Sequence, residues 1–299
     1  MHTVHAYPES FGINSSCWTL KGIKQACHFT VSLSVSGLSK LLDRFGIHYK
    51  RARYYLHSRD LEYEAKLKSI QVNLAQYHPE RRLIFFQDEH TVTNIAPLHC
   101  EYEQNGEYQR RVELPYTKQK QFRINAAINA FTGQFFSMVS SKVSVPRYIA
   151  FLQNLVEQNP NREIYLVQDN WPIHFHPDVL AALVPQKYQE RIILPKSWSR
   201  IIPKKKYEKM CDLPIQLVLL PTYSPWLNPI EKCWKWLNQA IVNNNHFAND
   251  FISFKYKVQE VLDSLNRKNS EMLSYIGLTK ERGIYSWPIA LAKSYIYDG

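Results

Sequence analysis

The chain has 299 residues, 45% hydrophobic and 21% charged, a globular composition that excludes wholesale disorder and has room for one large domain plus a small one. Glycine numbers only nine, no GxGxxG or GxxxxGK[ST] string occurs, and no apolar run approaches the ~18–20 residues of a bilayer span, which disfavours a glycine-loop nucleotide binder and a membrane protein. The formal net charge of +11 is uneven, +4 over residues 1–80, zero over 81–185 and +5 over 186–212, so a neutral centre is flanked by basic segments suited to gripping a polyanion.

In chain order, the first ten residues lack the charged start and apolar stretch of a secretory leader, and none is expected. Leu20, Ile23 and Cys27 recur at helical spacing, and Leu38, Leu41, Leu42 and Phe45 form the stripe of a second helix that Gly46 stops. Two short helices with a basic exit, Lys50-Arg51-Ala-Arg53, read either as a helix-turn-helix or as an ordinary helical hairpin. In the former, Ser36, Ser39, Lys40 and Arg44 on the second helix and Lys50, Arg51 and Arg53 beyond it would meet DNA. Residues 1–56 form this unit, and 57–80 form a charged helical linker.

After Pro79 the pattern changes. Leu83–Gln87 is an apolar strand ending at Asp88. Phe122–Ala130 and Gln134–Val139 are paired strands joined by a turn at Thr132-Gly133. A helix follows Pro146, with Tyr148, Phe151, Leu152 and Leu155 on one face. Ile164–Gln168 is a second buried strand ending at Asp169, followed by a helix over 176–183. Gln216–Leu220 is a third, and a helix over 228–242 starts with Asn228 as cap and Pro229 in its first turn. Strands alternating with helices after an antiparallel start give an α/β fold with a mixed sheet over residues 81–245, and 246–299 is a helical, then irregular tail. The five cysteines are scattered without a CxxC, which argues against zinc or a disulfide framework and for a reducing cytosol.

Three acids stand out by position: Asp88 and Asp169 at strand ends and Glu231 on the first turn of a helix. Strand ends in α/β sheets border the ligand crevice. Three carboxylates gathered there need a cation, and oxygen-only donors select Mg²⁺, with Mn²⁺ also suitable. Two such ions activate a water or a 3′-hydroxyl and stabilise the leaving oxygen of a phosphodiester. The competing reading for each acid is a turn former. Glu89 faces the opposite side if its strand continues, and is ranked with Asn170, His174 and Asn228 as supporting the acids or touching substrate. Glu208 and Asp212 are rival third acids in a lysine-rich stretch. His174-Phe-His176 would suit a barrel metal hydrolase, but eight βα units are not visible. Arg110, Arg111, Lys118, Lys120 and Arg123 suit either a DNA backbone or the open face of a strand. Trp226, Trp234 and Trp236 are read as packing.

The strings Phe86-Gln-Asp-Glu-His90, Val167-Gln-Asp-Asn-Trp-Pro-Ile-His174 and Leu220-Pro-Thr-Tyr-Ser-Pro-Trp-Leu-Asn-Pro-Ile-Glu-Lys-Cys-Trp234 resemble the three signature blocks of mariner-like DDE transposases, nearest their bacterial insertion-sequence branch. The third block is the most specific, and the resemblance covers roughly residues 17–242. It implies an RNase H-like mixed sheet flanked by helices, preceded by the all-α helix-turn-helix unit. It also implies a Mg²⁺-dependent transposase that cleaves and transfers the ends of a mobile element, with Asp88, Asp169 and Glu231 as metal ligands. The partners would be double-stranded DNA, as terminal inverted repeats and target, and a second copy of the chain. No membrane partner is implied, and the setting would be the bacterial cytoplasm beside the nucleoid.

Two features depart from the family. Sixty-one residues separate Asp169 from Glu231, roughly twice the usual distance, and the surplus near 187–212 carries Lys204, Lys205 and Lys206. Such a basic insertion contacts DNA or forms a surface loop, and its charge favours DNA. There is also room for only one helix-turn-helix unit where the family usually has two, as a shortened copy would have. Two other readings stand beside the first: a catalytically silent, transposase-derived DNA-binding protein, and a nuclease of the same fold that does not transpose.

Overall fold

A computed structural model describes residues 5–30, 32–49, 58–102, 110–183 and 213–279. Lys50, Arg51, Arg53, Glu208, Asp212, Lys204–Lys206 and the whole basic insertion over 187–212 lie outside the described residues. The chain divides into two compact units, Met1–Tyr55 and Leu56–Gly299.

In the first unit, α1 (Leu20–Ala26) starts where the Thr19 hydroxyl accepts the Gly22 N–H. Helix α2 (Val35–Arg44) starts the same way, with Ser34 accepting from Gly37. A small core of Ile23, Cys27 and Leu38, supported by Trp18, Leu20 and Leu42, holds the two helices together. Gly46 ends α2 in the left-handed conformation at φ 70° and donates to the Asp43 carbonyl. Ser36, Ser39, Lys40 and Arg44 are all exposed on α2.

The second unit is built on five strands, β1 (Arg82–Thr93), β2 (Gln121–Asn129), β3 (Phe135–Ser140), β4 (Glu163–Gln168) and β5 (Ile215–Leu219), in the order β3-β2-β1-β4-β5. The β3-β2-β1 part is antiparallel, and β1-β4-β5 is parallel. Side chains alternate between faces, so residue parity assigns each to a layer. Ile84, Phe86, Tyr165 and Val167 face one layer, formed by α3 (Tyr63–Ala75), α6 (Ile230–Leu237), α7 (Phe251–Ser264) and α8 (Ser270–Ile276). Leu83, Phe85, Ile164 and Leu166 face the other, formed by α4 (Val145–Glu157) and α5 (Pro177–Ala182). Phe85, Phe86, Phe122 and Phe135 are each almost wholly buried, worth about 2–3 kcal/mol apiece in apolar transfer.

Three elements differ from the expectations. Strand β1 does not stop at Asp88. Its parallel pairing with β4 ends at Phe86 and Val167, but its antiparallel pairing with β2 continues to Thr93, where Thr91, Val92 and Thr93 suit an extended backbone. Beyond Phe86, β1 therefore borders a crevice on its β4 side. The helix expected over 228–242 is α6 followed by a π-helical turn, Asn238–Val242. The segment after 245, expected as a tail, supplies α7 and α8, whose Phe254, Val258, Leu262, Met272 and Ile276 belong to the core.

Candidate active site

Asp88 and Asp169 come together through strand parity. The last paired residues of β1 and β4 are Phe86 and Val167, so two residues further on Asp88 and Asp169 occupy the mouth of the crevice and face the same layer. Glu231, in the first turn of α6, lies near enough for its charge to raise the Asp88 carboxyl. Asn228, wholly inside, donates from Nδ2 to the Gln87 carbonyl at 3.0 Å, fastening the start of α6 to the backbone beside Asp88. Its expected capping role is only partial: Nδ2 serves β1, while Oδ1 accepts the Ile230 N–H at 3.4 Å. One turn past Glu231, the Trp234 indole donates to Asp88 Oδ2 at 2.8 Å.

The three carboxylates act on one another. Burial pushes the Asp88 carboxyl well above the usual carboxylate range, and the charges of Glu231 and Glu89 push it further, against the Trp234 hydrogen bond. Burial also raises Glu231, with Asp169 adding to the rise. Burial would raise Asp169 too, but the His174 hydrogen bond and charge and the Trp171 N–H outweigh it and hold that carboxyl low.

Glu89 faces away from Asp88, into the other layer, and Oε1 accepts Gln87 Nε2 at 2.8 Å. His174 follows β4 in a short 3-10 turn, Pro172–Phe175. Its Nε2 lies 3.1 Å from Glu89 Oε1, and its Nδ1 lies 3.1 Å from Asp169 Oδ1 and 3.4 Å from the Asp169 carbonyl. Burial would lower the imidazole, but its two carboxylate partners raise it to about 9. Asn170 donates to the Leu220 carbonyl at 2.6 Å, joining the loop after β4 to the end of β5.

A cleft of about 360 Å³ opens beside Glu231, lined by His90, His99, Trp234, Lys235 and Asn238 among others. His90 stacks on Trp234 with ring centroids 4.9 Å apart and lies 3.2 Å from Asn238 Oδ1. Sequence reasoning missed both rings as parts of the site. Trp234 was read as packing, although its position three residues after Glu231 put it on the same helical face. His90, two residues past Asp88, became legible only once β1 was seen to continue.

By donor type the three acids suit hard divalent cations. Trp234 and the Glu89 N–H hold the Asp88 carboxyl, while His174 and Trp171 both engage Oδ1 of Asp169, which leaves its Oδ2 for a further partner. Burial raises Asp88 and Glu231, and neighbouring negative charges add to the rise. The acids are not drawn into a closed cage, since no group of three or more His, Cys, Asp or Glu stands at metal-holding separation among the described residues.

A mixed five-stranded sheet with acids beside the crevice between its two central parallel strands defines the class as an α/β domain with an acidic crevice. Residues 83–254 match the family described as DDE superfamily endonuclease, and residues 14–66 match winged helix-turn-helix. The chain belongs to the DDE superfamily endonuclease family. It is 24% identical over 262 residues to the insertion element IS630 uncharacterized 39 kDa protein of Shigella sonnei, covering 87% of this chain and 68% of that one. Its fold is similar to the Mos1 transposase paired-end complex with left transposon end, with a TM-score of 0.58 at 18% identity over 96% of this chain and 77% of that one. It is likewise similar to the mariner Mos1 paired end complex with Mn, at a TM-score of 0.58 and 17% identity over 97% and 78% of the two chains. The resemblance to mariner-like insertion-sequence transposases is thereby borne out, as are the RNase H-like sheet and the helix-turn-helix unit before it. No helix among the described residues is long and apolar enough to cross a membrane.

Proposed function

We propose that this transposase cleaves and rejoins DNA with divalent cations held by Asp88, Asp169 and Glu231. What supports the reading is that acids from three distant segments act on one another at this crevice, the charge of Glu231 raising Asp88 and that of Asp169 raising Glu231. Asp88 and Asp169 would share one ion and Glu231 would hold the other. Mg²⁺ or Mn²⁺, when bound, supplies a deprotonated nucleophile and neutralises charge on the phosphate. The chain's own part is to fix three ligand oxygens. Asn228 and Trp234 set Glu231 and Asp88 against β1, and the Trp171 N–H and His174 turn Asp169.

Hydrolysis adds a water oxygen to phosphorus in line and releases a 3′-hydroxyl. Strand transfer lets that hydroxyl attack a target phosphodiester, so one bond forms as one breaks and no covalent enzyme intermediate is needed. Ser36, Ser39, Lys40 and Arg44, exposed on α2, would meet the terminal inverted repeat, and Lys50, Arg51, Arg53 and Lys204–Lys206 would add phosphate contacts. Pairing two element ends calls for a second copy of the chain, and a DNA-handling protein of this charge would reside with the nucleoid.

The absence of a closed ligand cage among the described residues favours a second reading, a catalytically silent DNA-binding protein. The deciding experiment incubates the full chain with DNA carrying the inverted repeats that flank its coding region. Cleavage should require Mg²⁺ or Mn²⁺, stop with a chelator, and be lost in Asp88→Ala, Asp169→Ala and Glu231→Ala while gel-shift binding persists. Full cleavage by Asp169→Ala refutes the assignment. Binding without metal-dependent cleavage by the unaltered chain favours the silent reading. Cleavage without joining to a target plasmid leaves a nuclease.

A further inference from the structure

We infer that Glu89 and His174 form a clamp across the crevice between β1 and β4 that fixes Asp169 in its ligating orientation, with Glu89 acting through the imidazole and not as a metal ligand. The inference rests on the metal reading above and names residues that act on one of its ligands.

The geometry separates the two carboxylates that follow one another on β1. Parity sends Asp88 to the layer of α6 and Glu89 to the layer of α4. The Glu89 side chain is 8% exposed and lies among buried polar groups. Gln87 Nε2 donates to it, Asn125 stands opposite it in the β1–β2 register, and His174 Nε2 shares the same oxygen as Gln87. A carboxylate anchored in this way is held away from a cation seated between Asp88 and Asp169.

Asp169 is in the opposite situation. Its side chain is 53% exposed and has just left the end of β4, so no ladder fixes it. Its fixed points are the Trp171 N–H at 2.9 Å and the His174 ring, both on Oδ1, which leaves Oδ2 for another partner. The ring is itself immobile. It is wholly buried, lies 4.8 Å from the Tyr148 ring and 5.8 Å from Trp171, and is anchored at Nε2 by Glu89. Glu89 at Nε2 and Asp169 at Nδ1 hold opposite ends of one ring, so losing the Glu89 contact frees the ring to turn and with it the contact that orients Asp169. Partners of this kind, one bond beyond a metal's ligands, commonly control metal affinity ten- to a hundredfold.

The test measures Mn²⁺ binding to the full chain without DNA, by the electron paramagnetic resonance signal of free Mn²⁺, with thermal melts to show that each variant folds. The clamp predicts about tenfold or weaker binding for His174→Ala and for Glu89→Ala, with the double variant no weaker than the weaker single one. Glu89→Gln, which keeps shape and an acceptor but drops the charge, should fall between wild type and Glu89→Ala, and it stands in if an alanine variant fails to fold. Raising Mn²⁺ should restore cleavage by the clamp variants but not by Asp169→Ala. Additive losses in the double variant would overturn the clamp by making Glu89 an independent ligand, and wild-type affinity in His174→Ala would overturn it outright. Undiminished Mn²⁺ binding by Asp169→Ala would instead bring down the metal reading on which the clamp rests.

Discussion

The Trp234 indole and the Asp88 carboxylate, 146 residues apart, meet in a hydrogen bond of 2.8 Å that joins helix α6 to strand β1 at the crevice. The same ring stacks on His90 and meets Phe135 edge-on, so it is rigid before it engages the carboxylate. Trp234→Phe keeps an aromatic ring but removes the donor together with part of the buried ring volume. Stability should fall by about 1–3 kcal/mol. Asp88, already pushed up by burial and its acidic neighbours, loses a group that favours its ionised form. We expect cleavage at limiting Mg²⁺ to fall about tenfold, with partial recovery as Mg²⁺ is raised. A variant with the wild-type metal dependence would show that the contact only packs.

Asp88 also predicts a conflict between stability and activity. Its carboxylate is buried beside the like charges of Glu231 and Glu89, so the metal-free fold carries repulsion that an amide would relieve. Asp88→Asn should melt a few degrees above wild type at pH 7–8 in chelator, a gain of about 1–2 kcal/mol in a domain of this size, and should not cleave. Adding Mn²⁺ should raise the wild-type melting temperature and leave the variant nearly unmoved. Equal shifts in both would mean that Asp88 is not a ligand.

The sheet was legible because its strands are short apolar runs with turn residues between them; Asp88 and Asp169 stood out because they follow two of those runs, and Glu231 because it lies in the first turn of a helix. The full extent of β1 was not. Gln87 to Thr93 is mostly polar, and only pairing with β2 makes it a strand, so Asp88 read as the strand's end. Residues 246–278 were legible as helical but not as part of the core, for a related reason. Phe254, Val258, Leu262 and Met272 have helical spacing, but spacing does not reveal that their partner is the sheet face carrying Phe122 and Phe135. The Glu89–His174 contact spans 85 residues, and no local pattern encodes it.

A second buried acid serves the fold. Asp60 Oδ2 accepts from Lys66 Nζ at 2.7 Å and from the Thr222 N–H and hydroxyl at 2.7 and 3.0 Å, while Oδ1 accepts the Glu62 N–H. This ties the start of α3 to the loop that leads from β5 towards Glu231. Burial would raise the Asp60 carboxyl, but these donors outweigh it and hold it far below the usual range. The folded chain thus binds the Asp60 proton more weakly than the unfolded chain. The contribution is present above the unfolded value near 4 and is lost as pH falls through the depressed one. Asp60→Asn should cost about 2–4 kcal/mol at pH 7, and its deficit against wild type should shrink as melts are taken at successively lower pH below 4. A deficit independent of pH would place the cost in packing.

The turn between β2 and β3 offers a backbone test of how α8 docks. Gly133 has φ 68°, in the left-handed region, and donates to the Asn129 carbonyl. A Cβ there would collide with the Asn269 carbonyl oxygen and approach Leu273 Cγ to 2.9 Å. Asn269 caps α8, its carboxamide accepting the Met272 N–H and its own N–H donating to Thr132. Gly133→Ala therefore strains the turn and pushes α8 off it, at an expected cost of about 2–4 kcal/mol. Met272 and Ile276 are buried on α8 against the layer that holds α6, so the disturbance should reach Glu231. We expect hydrogen exchange to quicken in α8 and α6 and to stay unchanged in α4, on the far side of the sheet. Uniform quickening in all three helices would mean that α8 unfolds with the domain and does not loosen by itself.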